Sequence, residues 1–141
     1  MIKKSGSANW KGGLKDGSGT VSTESGVLDK VNYGFNKRFE GEKGSNPEEL
    51  IAAAHASCYS MALSMILGEA GLTADDISTK ATVSLEQKDG GFAVTKSHLV
   101  LEAKVPGASE EDFMKAAQTA KEGCPISKLL NAEITLDAKL V

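Results

Sequence analysis

Two cysteines, Cys58 and Cys124, are the residues of this 141-residue chain best suited to covalent chemistry. They form no CxxC motif and no metal-ligand pair, so a zinc site is not expected and nucleophilic or redox chemistry remains. The reacting species in that chemistry is the thiolate. A thiol with a pKa near 8.5 is only about 3% ionised at pH 7, and lowering its pKa by about two units takes roughly 2.7 kcal/mol. One positive charge 4 Å away supplies about 4 kcal/mol at an effective dielectric of 20. Of the 16 basic residues all but one are Lys. Arg38 alone offers a planar guanidinium fork and is the candidate cation.

Cys58 falls in an uncharged stretch, residues 50–68, dominated by Ala, Leu, Met and Ile. If Pro47 opens a helix there, Cys58 lies roughly 16 Å from its N-terminus, too far for the helix dipole to activate it. The residue is then either an inert core hydrophobe or a nucleophile that needs a cation. His55, one turn earlier on the same face, is either a rival activator or a satisfied core histidine. Cys124 stands before Pro125, where free helix amides favour a thiolate; its alternative is a chance N-cap. Glu49 is explained as a helix-start residue, whereas Glu48 is less settled. About 15 Å of helix separates Glu48 from Cys58, so the two share a site only if Glu48 comes from a neighbouring subunit or the helix breaks. Tyr33, Phe39, Met61, Leu63 and Met65 are candidates for an apolar lining, although Met and Leu at helical spacing also describe ordinary core.

The elements that must position these residues are legible from turn and cap signals. Residues 8–35 hold short segments separated by Gly-Gly, Asp-Gly and Ser-Gly, the pattern of a small antiparallel meander. Residues 36–46 are polar and glycine-containing, a strand end or loop that carries Arg38. Asn46, Pro47 and Glu49 start a helix as N-cap, first residue and capping-box partner, and Gly68 and Gly71 stop it. Residues 81–87 and 92–105 alternate around Asp89-Gly90-Gly91, a long hairpin within 78–105. Ser109 and Asp112 cap an amphipathic helix to about Glu122 with Phe113, Ala116, Ala117 and Ala120 on its apolar side. Cys124-Pro125 opens a short helix to about Leu130, and residues 133–141 form a last strand. The order of elements is α+β, a single domain over 1–141, without the βαβ alternation of a doubly wound sheet.

Composition excludes several classes. With 40% hydrophobic and 25% charged residues and three prolines, the chain is not disordered, collagen-like or disulfide-scaffolded. A net charge of -3 argues against a polyanion partner, and Lys3, Lys4, Lys11 and Lys15 read as a solvated edge without aromatic interleaving, so no nucleic acid is expected. The N-terminus has no apolar run behind its lysines, so a reducing cytoplasm is the expected compartment. The uncharged run raises a membrane span. His55, Ser57, Tyr59, Ser60 and Ser64 and the lack of aromatic belts favour a helix buried on most sides in a globular core or dimer.

The run Asn46-Pro47-Glu48-Glu49-Leu50-Ile51-Ala52-Ala53-Ala54-His55-Ala56-Ser57-Cys58, followed downstream by Cys124-Pro125-Ile126-Ser127, resembles the OsmC/Ohr family of thiol peroxidases. The resemblance extends from Asn9-Trp10-Lys11-Gly12-Gly13 to the final strand. Its Ohr branch places the active-site Arg soon after the Gly-Gly; here Leu14 follows, so the resemblance assigns that role to Arg38, as in the OsmC branch. It implies an intertwined homodimer with two interface sites that reduces organic hydroperoxides, without metal or prosthetic group. In that scheme Cys58 is the peroxidatic nucleophile, Arg38 holds it as thiolate and polarises the peroxide, and Glu48 orients Arg38. Cys124 then closes a disulfide with the Cys58 sulfenic acid, and a dithiol donor, in this family often a lipoyl protein, reduces it.

Two other readings remain to be weighed. A dimeric scaffold or small-molecule binding module would retain inert thiols. A Cys-His hydrolase using Cys58 and His55 would need an oxyanion hole and a third orienting residue, and two side chains one turn apart leave no room for a carbonyl between them.

Overall fold

Turn chemistry sets the first third of the chain. In the computed structural model, which describes residues 1–141, strands β1 (Gly6–Lys11), β2 (Ser18–Thr23) and β3 (Val31–Tyr33) pair antiparallel in chain order, the expected meander. Gly19 of β2 lies between Trp10 and Tyr33, its partners on either side. The two rings meet over it with centroids 5.4 Å apart, and a Cβ at Gly19 would stand 2.5 Å from the Trp10 ring. Only glycine leaves room for that close approach.

Residues 36–46, expected as a strand end or loop, instead begin in a single helical turn, α1 (Phe35–Phe39). Its polar composition hides it from a reading based on hydropathy. Phe35 and Phe39 stand four residues apart and bring their ring centroids to 4.8 Å, an i,i+4 pair that stabilises one turn. Arg38 is thereby held on a helix, its N–H donating to the Gly34 carbonyl at 3.2 Å. The next helix, α2 (Pro47–Glu69), starts where its caps place it: the Asn46 side chain accepts the Glu49 N–H at 2.8 Å, and Pro47 is the first residue.

The chain gathers into two compact units, Met1–Leu50 and Ile51–Val141. The second is built on a three-stranded sheet in the order β4-β5-β6. Strands β4 (Asp76–Lys88) and β5 (Gly91–Lys104) form the expected hairpin around Asp89 and Gly90, both at positive φ, the backbone of a two-residue hairpin turn. Strand β6 (Glu133–Leu140) pairs parallel with β5. The fold is α+β, yet it contains one strand-helix-strand crossover. A parallel pair needs a long connection, and helices α3 (Glu110–Gly123) and α4 (Pro125–Leu129) supply it. Ser109 caps α3 by accepting the Asp112 N–H at 3.1 Å.

The core lies between this sheet, α2 and α3. On α3, Phe113, Ala116, Ala117 and Ala120 are the buried residues, the apolar side the sequence pattern assigns. On α2, burial within the chain follows one stripe, His55, Tyr59, Leu63 and Leu67, rather than most sides. Met61 and Met65 on the other side are 75% and 62% exposed. The buried stripe packs with Leu99 and Leu101 of β5 and with Phe113 and Ala117. Tyr59 donates its hydroxyl to the Ala117 carbonyl at 3.0 Å, and burial pushes its pKa upward. By length and composition alone α2 could cross a bilayer; its buried stripe is part of the core.

Two glycines with open space around an added Cβ separate backbone strain from crowding. Gly90 has φ +81°, whereas Gly68 lies inside α2 without a positive φ. Gly90→Ala is expected to cost about 1 kcal/mol, and Gly68→Ala to add about 0.5–1 kcal/mol, in denaturant unfolding. Equal effects at both positions would contradict the assigned turn.

Candidate active site

In the second unit, two helices bring the cysteines together. Cys58 is half-buried beside the packed stripe of α2, and Cys124 is fully buried at the N-cap of α4. The Cys124 thiol donates to Cys58 Sγ at 3.2 Å, and Cys124 Sγ accepts the Ser127 N–H at 3.5 Å. Both thiols are free, and their sulfurs stand about 1 Å beyond the length of a disulfide bond. Burial, acting first, pushes the Cys58 thiol up. Its neighbour Cys124 adds to that push, and the Ile126 N–H opposes it. In these surroundings Cys58 keeps its proton at neutral pH, so a thiolate requires a cation brought to it.

His55 is not that cation. It is fully buried, with Nδ1 2.7 Å from Ser97 Oγ and Nε2 2.7 Å from Ser127 Oγ. Burial lowers its pKa and keeps the ring neutral. A neutral imidazole has one donor and one acceptor, and a hydroxyl can complement either, so both bonds form without a charge. The core-histidine reading is therefore the one the structure bears out, and a Cys-His hydrolase would find both ring nitrogens already engaged by serines. Ser97 and Ser127 were missed as a pair. Ser97 carried a signal, a hydroxyl at an inward register position on a strand whose other inward residues include Leu99 and Leu101.

In the first unit, the short helix α1 and the first turn of α2 bring Arg38 to Glu48. The guanidinium donates through Nε to Oε2 at 3.1 Å and through Nη2 to Oε1 at 2.8 Å, a two-pronged pair that fixes its plane. The same group lies over the Phe39 ring, 5.3 Å from its centroid. Glu48 is largely buried and Arg38 about one-third exposed, so the acid is set behind the base. Beside Arg38 is a cavity of about 280 Å³ lined by Trp10, Leu14, Tyr33, Phe35 and Phe39. Of the expected lining residues, Tyr33 and Phe39 border it, Leu63 is core, and Met61 and Met65 are exposed. The four expected site residues thus fall into two pairs, one in each unit.

Residues 40–139 match the family model described as OsmC-like protein. The chain is 60% identical over 139 residues to Peroxiredoxin OsmC of Escherichia coli (strain K12), an alignment covering 99% of this chain and 97% of that one. It is 30% identical over 125 residues to Organic hydroperoxide resistance protein OhrB of Bacillus subtilis (strain 168), covering 86% and 90%. The crystal structure of OhrB of Bacillus subtilis superposes with a TM-score of 0.69 at 26% identity, covering 97% of this chain and 98% of that chain.

The neutral, buried His55 has a consequence for stability. Its pKa is lower folded than unfolded, so the unfolded chain binds the extra proton. The stability it confers is fully present above about pH 6.5 and is lost as pH falls through that value toward the depressed folded pKa. Between pH 7.5 and 5.5, where carboxylates and lysines hold their charge, the melting temperature of the wild type should fall more than that of His55→Gln. Equal slopes would contradict the neutral assignment.

Proposed function

The chain belongs to the OsmC-like protein family, and from that premise we propose that it is a thiol-dependent peroxidase acting on organic hydroperoxides through Cys58 and Cys124. The observation that carries the reading is the pair of free sulfurs 3.2 Å apart, one half-buried at the surface and one fully buried. A nucleophile that must be reached by substrate and a partner that must not be oxidised itself are served by that difference in exposure.

In the proposed cycle the Cys58 thiolate attacks one peroxide oxygen. The O–O bond breaks, Cys58 becomes a sulfenic acid, and the departing alkoxide takes a proton to leave as alcohol. The Cys124 sulfur then attacks Cys58, forms the disulfide and releases water. A dithiol donor of the lipoyl class returns both thiols. Arg38 supplies the charge that Cys58 needs as thiolate and polarises the peroxide, while Glu48 holds the guanidinium plane. The apolar cavity beside Arg38 suits the organic portion of the peroxide and keeps the charge effective by excluding water.

Glu48 and Cys58 lie ten residues apart on one helix, so a homodimer in which Arg38 and Glu48 of one protomer serve Cys58 of its partner removes the separation that a single chain imposes. The exposed Met61 and Met65 give α2 an apolar face for such a dimer to cover. The two units then work as one domain within a homodimer, in a reducing compartment, the cytoplasm, that keeps both cysteines as thiols between turnovers.

One equivalent of cumene hydroperoxide tests the reading by thiol count and mass. The wild type should lose two thiols and gain a Cys58–Cys124 disulfide, and Cys124→Ser should stop at a Cys58 sulfenic acid. Unreacted thiols in both proteins would leave a scaffold or binding module with inert cysteines.

A further inference from the structure

We propose that His55 is a positioning residue: through Ser127 it holds the start of α4, and with it the Cys124 sulfur, in reach of Cys58. The inference rests on the peroxidase reading and concerns its second step, disulfide closure.

Two side-chain contacts pin α4 to α2, beside the Ile126 N–H that reaches Cys58, and they run antiparallel. Cys58 meets Cys124 at 3.2 Å. One turn earlier in α2, His55 meets Ser127, three residues later in α4, at 2.7 Å. The other nitrogen of His55 is fixed by Ser97 of β5 at 2.7 Å, so a line of hydrogen bonds runs from the sheet through α2 to α4. His55 and Ser97 are fully buried and Ser127 is 8% exposed, which keeps water from replacing these partners. At five residues, α4 is too short to be rigid by its own hydrogen bonds and depends on what it is tied to. Ser127 also gives its N–H to Cys124 Sγ, so the serine that His55 grips is itself bonded to the resolving sulfur.

Closure is the step that such a tie would govern. The Cys124 thiol attacks the Cys58 sulfenic acid, the S–S bond forms, the S–O bond breaks, and hydroxide leaves with the thiol proton as water. A second hydroperoxide competes for the same sulfenic acid, transferring an oxygen to give sulfinic acid and one molecule of alcohol. From 3.2 Å the sulfurs need move only about 1 Å to bond, and a misplacement of that size costs on the order of 100-fold in a reaction between positioned groups. Attack of Cys58 on the peroxide does not need the Cys124 sulfur in place; α4 contributes to it through the Ile126 N–H, a backbone group that Ser127→Ala retains.

Two amide replacements divide the line at its centre. Asn at position 55 places its amide where Nδ1 stands and can keep Ser97. Gln reaches where Nε2 stands and can keep Ser127. Single-turnover oxidation of the full-length protein by cumene hydroperoxide, quenched and read by mass, separates loss of the Cys58 thiol from disulfide formation. For His55→Asn and Ser127→Ala, thiol oxidation should stay within about twofold of wild type while closure slows about tenfold or more, with sulfinic acid rising at excess peroxide. His55→Gln should close within about threefold of wild type. If the position 55 variants fail to fold, Ser127→Ala carries the test alone. Equal closure rates in the Asn and Gln variants, or an unchanged rate in Ser127→Ala, would reduce His55 to a core residue and overturn the inference while leaving the peroxidase reading intact. A wild type that the peroxide does not oxidise would overturn both.

Discussion

A half-buried thiol keeps its proton unless a charge is brought to it, and Cys58 is such a thiol. Burial and the adjacent Cys124 both raise its pKa, and one backbone N–H from α4 pulls the other way. The histidine one turn away is neutral. The guanidinium that could supply the missing charge belongs to the other unit, where it pairs with Glu48 beside an apolar cavity. In the proposed cycle the charge comes from the same unit that holds the apolar cavity, so Cys58 is ionised where the substrate's apolar body is also held.

The same economy of position governs the second sulfur. Cys124 is fully buried and caps a helix of five residues, so its access to Cys58 is decided by how α4 docks. Beside that docking runs a buried polar line, Ser97–His55–Ser127, in a core otherwise dominated by Leu and Ala. A fully satisfied buried polar line specifies one arrangement where apolar contacts alone would tolerate several.

Much of this is legible in the amino-acid sequence. The caps of α2 and α3, the Asp89-Gly90 turn and the apolar face of α3 are local signals, and local signals survive folding. Pairing of Cys58 with Cys124 followed from the family resemblance, not from spacing. What escaped notice depends on contacts distant in sequence. The turn of α1 is held by two phenylalanines inside a polar segment. The parallel β6 follows from a crossover whose geometry no single residue announces. Which sides of α2 the chain itself covers was not legible, because composition gives the length of an apolar run but not the direction of its burial. His55 showed its chemistry but not its surroundings: burial keeps it neutral, and its partners are serines 42 and 72 residues away.

The most direct measurement mixes two defective chains. Arg38→Ala and Cys58→Ser are each expected to be inactive alone. Refolded together in equal amounts, chains that assemble as the proposed homodimer give mixed dimers in which Cys58 of one chain would face Arg38 of the other. Random pairing makes about half the dimers mixed, each with one intact site, so peroxidase activity should return to about a quarter of wild type per chain. Mixed dimers with no activity above that of the separate variants would mean that the guanidinium and the thiol do not meet across the interface, and the account of the site would be wrong at its centre.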